Sequence, residues 1–338
     1  MRRRAGRMRD VVVLGAGVVG LTTAVRLAEA GARVTVLTAH DPADTVSRVA
    51  AAVWYPTRTS ADPRVLGWAR RTFETFAGQA GQGVPGVVMR PTRMLLRAPV
   101  TAGDPWWAPA VTDFRTVPPP DGYAGQWRFT VPAVEMGPYL DWLLHRLGEL
   151  GVPVRRHRVD RLVDAASGAA GAVPPAGRPT LVVNATGLAA GDLADDPAVH
   201  PIRGRIVLVA NPGITTSVRD EANPAGVTYV HPRRRDVVLG GTYEPYRTET
   251  GPDEAAGEAI LARCVALVPE LAGAPVLGQL AGLRPGRHGG ARVAEEAAGL
   301  PGPVRLIHNY GHGGAGVTLA WGCADEVVAL AGTGPGGA

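Results

Sequence analysis

Two glycine-rich stretches at opposite ends of this 338-residue chain have the form that binds anions. The first, Gly15-Ala16-Gly17-Val18-Val19-Gly20, follows the apolar run Val11 to Leu14 and opens a segment in which Val18, Leu21, Ala24, Val25 and Ala28 recur at helical spacing. In a Gly-x-Gly-x-x-Gly turn the first glycine permits the tight bend, the second lets backbone approach a pyrophosphate, and the third lets helix pack on strand. The free N–H groups and positive end of the helix then hold the phosphates. The second stretch, His308 to Thr318, also runs from an apolar segment into helical periodicity, almost three hundred residues downstream. Two such loops imply that both ends of the chain serve one anionic cofactor.

The elements that must position these loops can be read from the spacing of apolar residues. Val11–Leu14, the helix from Val18, a stop at Gly31 and the strand Val34–Leu37 make a complete βαβ unit. A second helix is expected from about Pro138 to Leu150, leading to an extended Val152 to Arg156. Residues 164–180 read as an exposed loop before the strand Leu181–Val183. From Arg203 to Tyr243 the texture changes. Ile206–Val209, Val227–Val230 and Val237–Leu239 read as strands of an antiparallel sheet, the last two joined by a polar turn at Arg233 to Asp236. A helix over 253–268, a strand at Val304–Ile307 and a last helix over 315–331 complete the chain. The acidic residue that ends the second strand of many such units and binds a ribose is missing here. Asp41 serves from a later position, or backbone alone holds the ribose.

Composition narrows the class. All 35 basic residues are arginine, which with abundant Ala, Gly, Val and Pro fits a GC-rich bacterial coding bias, so the pI of 9.7 says little about partners. The arginines at 2, 3, 4, 7 and 9 read as a ragged start before the first strand, and no nucleic-acid partner is expected. Cys264 and Cys323 lack the spacing of a zinc site or a disulfide framework, so no metal is expected. No apolar run approaches the roughly 20 residues needed to span a bilayer, and a cytoplasmic protein without a membrane partner is expected. Monomer and homodimer are both compatible with the composition.

Motifs spread over nearly the whole chain then resemble the D-amino acid oxidases: Gly15 to Leu21, Ala50-Ala51-Ala52-Val53-Trp54-Tyr55-Pro56, Val183 to Gly187, Tyr229-Val230-His231-Pro232, Leu239 to Tyr243, Gly282-Leu283-Arg284-Pro285, and His308 to Thr318 followed by Trp321-Gly322-Cys323. The resemblance implies an α/β fold, with a Rossmann-like FAD-binding domain assembled from discontinuous segments (1–60, 138–200 and 281–338). A mixed or antiparallel-sheet substrate domain (61–137 and 201–280) is inserted between them. It also implies a noncovalent FAD and oxidative deamination of a D-amino acid by hydride transfer from substrate Cα to flavin N5. Molecular oxygen would then reoxidise the flavin, with release of hydrogen peroxide.

By the same resemblance, Arg284 holds the substrate carboxylate with its planar two-donor fork. Tyr229 and Tyr243 add a phenolic hydrogen bond and an aromatic wall, and the Gly314 carbonyl accepts from the substrate amine. Gly15, Gly17, Val18, Val19 and Gly20 hold the pyrophosphate. Gly313, Gly314, Ala315, Gly316, Val317 and Thr318 place a helix N-terminus at the flavin. Thr45, Ser47, Ala51, Ala52 and Val53 match a further cofactor segment, and Val159 and Thr186 match positions near adenine and phosphates. His308 and His312 support the second loop through hydrogen bonds, and Trp54 packs on the cofactor side.

Tyr55 and Thr57 stand where mammalian-type members carry Gln and Tyr. Tyr243, where D-aspartate oxidases tend to place arginine, favours neutral substrates, although Arg219 could enter from the preceding loop and admit acidic ones. Three readings follow: a D-amino acid oxidase, with a D-aspartate oxidase as its close variant; a glycine or sarcosine oxidase-like enzyme; and, in a different class, a non-catalytic dinucleotide-binding regulatory protein.

Overall fold

The computed structural model describes residues 10–56, 58–99, 103–167, 178–297, 300 and 302–332. The arginines before residue 10, Thr57 and most of residues 164–180 lie outside them; where that segment is described it begins not as an exposed loop but as the end of helix Leu162–Ser167, with Ala165 and Ala166 buried. The chain divides into two compact units, Met1–Arg48 with Leu140–His200 and Pro285–Ala338, and Val49–Tyr139 with Pro201–Arg284.

In the first unit Asp10–Leu14 is buried along its whole length, as a strand covered on both faces must be. It pairs in parallel with Arg33–Thr38 on one side and Leu181–Asn184 on the other. The six-stranded sheet runs Arg292–Glu295, Arg305–Tyr310, Leu181–Asn184, Asp10–Leu14, Arg33–Thr38, Val154–Arg156. Only the Arg292–Glu295 edge is antiparallel.

The helices Val18–Glu29 and Gly316–Gly332 come from opposite ends of the sequence and pack on each other. Thr22 donates through Oγ1 to the Ala320 carbonyl at 3.4 Å, and the Arg26 guanidinium lies 4.6 Å from the Trp321 ring centroid. The sequence expectation on apolar runs needs correcting here. The 20-residue segment Gly313–Gly332, with a mean hydropathy of 1.2 over an 18-residue stretch, is long and apolar enough to span a membrane by composition, but 61% of that stretch is buried inside the protein. A helix apolar over most of its circumference, with Asp325 and Glu326 at the more open side, is what a position packed against both sheet and helix requires.

The second unit is built on a mixed sheet of nine strands. Its main path is Glu244–Pro245, Val199–Ala210, Asp236–Gly240, Thr228–Pro232, Ser217–Asp220, Val87–Leu96, Gly125–Val134, Arg115–Val117, with Val276–Arg287 also paired to Val199–Ala210. Along this path every pairing is antiparallel except the parallel contact of Val87–Leu96 with Ser217–Asp220. Helix Glu254–Leu267 starts where the Asp253 carboxylate accepts from the Ala256 N–H at 3.0 Å, satisfying one of the unpaired donors of a helix start. Its Ile260 and Cys264 enter a core with Val207, Val209, Val230, Val237 and Leu239.

Candidate active site

The substrate candidates Tyr229, Tyr243 and Arg284 all belong to the second unit. Tyr229 lies opposite Gly240 on one neighbouring strand and opposite Arg219 on the other, and directly opposed residues in antiparallel pairs share a face. Gly240 is glycine for a steric reason: a Cβ there would run into the Tyr229 ring. The ring of His231 stacks on Tyr229, with centroids 4.6 Å apart and 15° between planes. Burial pushes the Tyr229 phenol above its ordinary range, with the Arg284 charge pulling the other way, so the hydroxyl stays protonated and able to donate. Burial, aided by Arg219, drives His231 well below 6.5 and keeps it neutral.

Arg284 is half-buried in the strand Val276–Arg287, which the spacing of apolar residues does not mark out. Its guanidinium sits over Gly204, where a Cβ would occupy the same space. Its Nη1 donates to the carbonyls of Thr242 (3.1 Å) and Arg203 (3.4 Å), and no carboxylate pairs with it among the described residues. The backbone that accepts these bonds is itself held. Arg203 grips Glu244 through two bonds of 2.7 and 2.9 Å, and the Thr242 hydroxyl donates to Glu244 at 2.8 Å while accepting from the Arg205 N–H at 3.0 Å.

The Arg203 hydrogen bond holds the Glu244 carboxyl down at about 2, against an ordinary 4.5. A carboxylate whose pKa is depressed on folding contributes stability that is complete above about pH 4.5 and is lost as pH falls toward 2. Thermal melts between pH 2 and 6 should therefore show Glu244→Gln less stable than the wild type at the upper end, with the gap closing near pH 2. A gap independent of pH would contradict this.

Tyr243 follows the strand Asp236–Gly240, is half-buried, and carries the Arg58 guanidinium 4.0 Å from its ring centroid. Arg219 differs from the sequence expectation: it lies within strand Ser217–Asp220 rather than in a loop, and its side chain is only 6% exposed. Ala51 packs beside Tyr229, Ile206 and Val238, Ala52 has φ +52, and Val53 forms a bridge with Ala133, so this segment belongs to the second unit. Trp54 is also a core residue of that unit. Its Nε1 donates to the Ala69 carbonyl, and its ring packs edge-on against Phe73 and Trp107.

In the first unit the structure brings the two glycine loops together. Gly15 has φ +107, and a Cβ there would meet the Ala185 carbonyl; a Cβ on Gly20 would run into the Gly15 carbonyl oxygen. Gly17 leaves room for the Ser47 hydroxyl, which accepts from the Val18 N–H at 3.0 Å. Thr45 Oγ1 donates to the Pro42 carbonyl, and Val159 packs half-buried on the apolar layer of Val12, Leu14 and Val182. Asp41 caps the following 3-10 turn by accepting from the Ala43 N–H. The second loop forms the 3-10 turn Gly313–Ala315 with Gly314 exposed, and Val317 and Thr318 then enter the helix. Gly316 lies against Val19 of the first loop.

Thr186 is positioned by Asn184, whose Oδ1 accepts from its hydroxyl (2.7 Å) and its N–H (3.2 Å). Asn184 in turn contacts His308 Nδ1 at 3.5 Å, and His308 Nε2 contacts Glu296 at 3.3 Å. His308 supports its loop as expected, and burial with Arg292 nearby lowers it to about 4. His312 does not: burial lowers it to about 4 as well, but its Nε2 has no hydrogen-bond partner among the described residues. Sequence reasoning missed Gly204 and Gly240 as seats for functional side chains, and Asn184 as the group orienting Thr186. A glycine beside a strand arginine carries no signal until the facing strand is known.

Glycines without room for a side chain, a helix start behind them and a second helix start alongside fit a dinucleotide. The model of the FAD dependent oxidoreductase family matches residues 10–330. A D-amino-acid oxidase of Rubrobacter xylanophilus is 49% identical over 324 residues, 95% of either chain, and one of Streptomyces coelicolor is 41% identical over 325 residues, 95% of this chain and 96% of that one. Among solved structures, a glycine oxidase of Geobacillus kaustophilus superposes with a TM-score of 0.80 at 19% identity, over 96% of this chain and 95% of that one, a likeness of fold. With its glycine loops, its sheet order and these relatives in agreement, the chain belongs to the FAD-dependent oxidoreductase family.

Proposed function

We propose that this protein oxidises D-amino acids, with oxygen and water, to 2-oxo acids, ammonia and hydrogen peroxide. The observation that carries the reading is Arg284, a half-buried guanidinium whose described partners are backbone carbonyls alone. A charge kept in that state is costly unless a ligand anion completes it, and a planar fork suits a carboxylate. The Tyr229 hydroxyl, protonated and without a hydrogen-bond partner among the described residues, supplies a further donor. Tyr243, half-buried beside Arg58, supplies an aromatic wall in the same unit.

The bound flavin supplies the two-electron acceptor. What the chain contributes is position: the carboxylate is fixed by Arg284 and Tyr229, and the amine must be neutral because its lone pair forms the imine as the Cα–H bond breaks. Turnover should therefore rise with pH as the bound ammonium loses its proton.

A peroxide assay over D- and L-amino acids, D-aspartate, glycine and sarcosine tests the reading. Peroxide should appear with neutral D-amino acids and not with their L-forms. Peroxide from glycine and sarcosine alone, or from no substrate, would refute it.

A further inference from the structure

Arg219 shares a face with Tyr229, being its directly opposed partner on the neighbouring strand. Its charge acts on the Tyr229 phenol together with that of Arg284. The Arg219 side chain is held from two sides. Its guanidinium lies 4.2 Å from the Tyr55 ring centroid, and Tyr55 is itself braced edge-on by Trp107 at 5.3 Å. Both Nη2 (2.5 Å) and Nε (3.2 Å) donate to one oxygen of Glu221. Arg219 is 6% exposed and Glu221 28%, so the cation is fixed in the wall and the carboxylate reaches it from the more open side.

Arg219 is the cation directly opposite Tyr229 in the strand register, so a substrate whose α-carboxylate is bound by Arg284 and Tyr229 has that cation on the same sheet face as its anchor. An acidic side chain would have to share one guanidinium with Glu221. Two carboxylates on a single cation repel, and the second pays its desolvation without full compensation.

We propose that Glu221 is a specificity-determining residue, its carboxylate occupying Arg219 as a built-in stand-in for an acidic side chain, so that neutral D-amino acids are preferred. Removing the Glu221 charge frees Arg219 to bind the side-chain carboxylate of D-aspartate or D-glutamate. The inference rests on the D-amino acid oxidase reading above.

The test compares wild type, Glu221→Gln, Arg219→Leu and the double variant by the ratio of kcat/KM for D-aspartate to that for D-alanine. Glu221→Gln should raise this ratio about tenfold or more, because an unneutralised guanidinium gains a charged partner, and the double variant should lose the gain. Inhibition by malonate relative to acetate, which needs no turnover, should strengthen in Glu221→Gln by a similar factor. Glu221→Ser provides a second removal of the charge should the Gln variant fold poorly. An unchanged ratio and unchanged malonate inhibition in a variant that still oxidises D-alanine would overturn the role of Glu221. Absence of peroxide from every D-amino acid with the wild type would instead overturn the underlying reading, and the inference with it.

Discussion

Arg284→Ala is expected to lower kcat/KM for D-amino acids by about a thousandfold, near 4 kcal/mol, the scale on which removing one member of a buried charge pair acts. The loss should fall on KM and on kcat together, because the guanidinium both binds the carboxylate and fixes the direction of the Cα–H bond. The flavin spectrum should be unchanged, since Arg284 bonds only to the carbonyls of Arg203 and Thr242 among the described residues. Gly204→Ala tests the same group without deleting it. A Cβ at 204 enters the space of the guanidinium, which must swing off its seat, so this variant should show a milder defect of the same kind. Steady-state kinetics with D-alanine and binding of a carboxylate inhibitor such as benzoate measure both. Wild-type benzoate affinity in Arg284→Ala would remove Arg284 from the substrate site.

The second large effect belongs to the first glycine loop. In Gly20→Ala the added methyl meets the Gly15 carbonyl oxygen, a backbone atom in a turn whose own N–H is bonded to the Leu37 carbonyl at 2.8 Å. Nothing flexible is available to move, so the helix must shift away from the strand and carry its N-terminal N–H groups off the phosphates. FAD affinity should fall about a hundredfold or more, a differential of near 3 kcal/mol, within the cost of overpacking a tight contact. The variant should purify with little yellow colour and bind added FAD weakly, as flavin fluorescence quenching would report. Full flavin occupancy with unaltered affinity would place the pyrophosphate elsewhere. Gly31, whose Cβ would meet nothing within 4 Å although its φ is +88, is a useful contrast: substitution there should strain the helix stop without affecting FAD.

Much of the first unit was legible because its signals are local. A buried parallel strand must be apolar throughout, a pyrophosphate turn must be glycine at fixed spacing, and a helix must repeat near 3.6 residues, so Asp10–Leu14, Val18–Glu29 and Gly316–Gly332 fall close to where the pattern puts them. The long ribbon Val87–Leu96 with Gly125–Val134 and the helix Pro63–Gly81 were not marked out. The ribbon alternates buried and exposed positions irregularly, with Pro91 and Pro132 inside it. Tyr229 and Arg284 were recognised by the motifs around them, and no periodicity singles them out. For Trp54 the sequence shows a tryptophan beside a cofactor-type segment, and only packing decides that Phe73 and Trp107 are the rings that enclose it.

What the sequence determined by itself was the chemistry available: two anion-binding helix starts, an arginine fork and two tyrosines in the order of a flavin oxidase. What only the tertiary structure decided was the state of those groups. It lays Val19 against Gly316 although almost three hundred residues separate them, leaves Arg284 without a carboxylate among the described residues, and gives Arg219 to Glu221. Residue types set which bonds are possible, but whether a charge is already paired depends on which strands lie side by side, and that is fixed by packing over the whole chain.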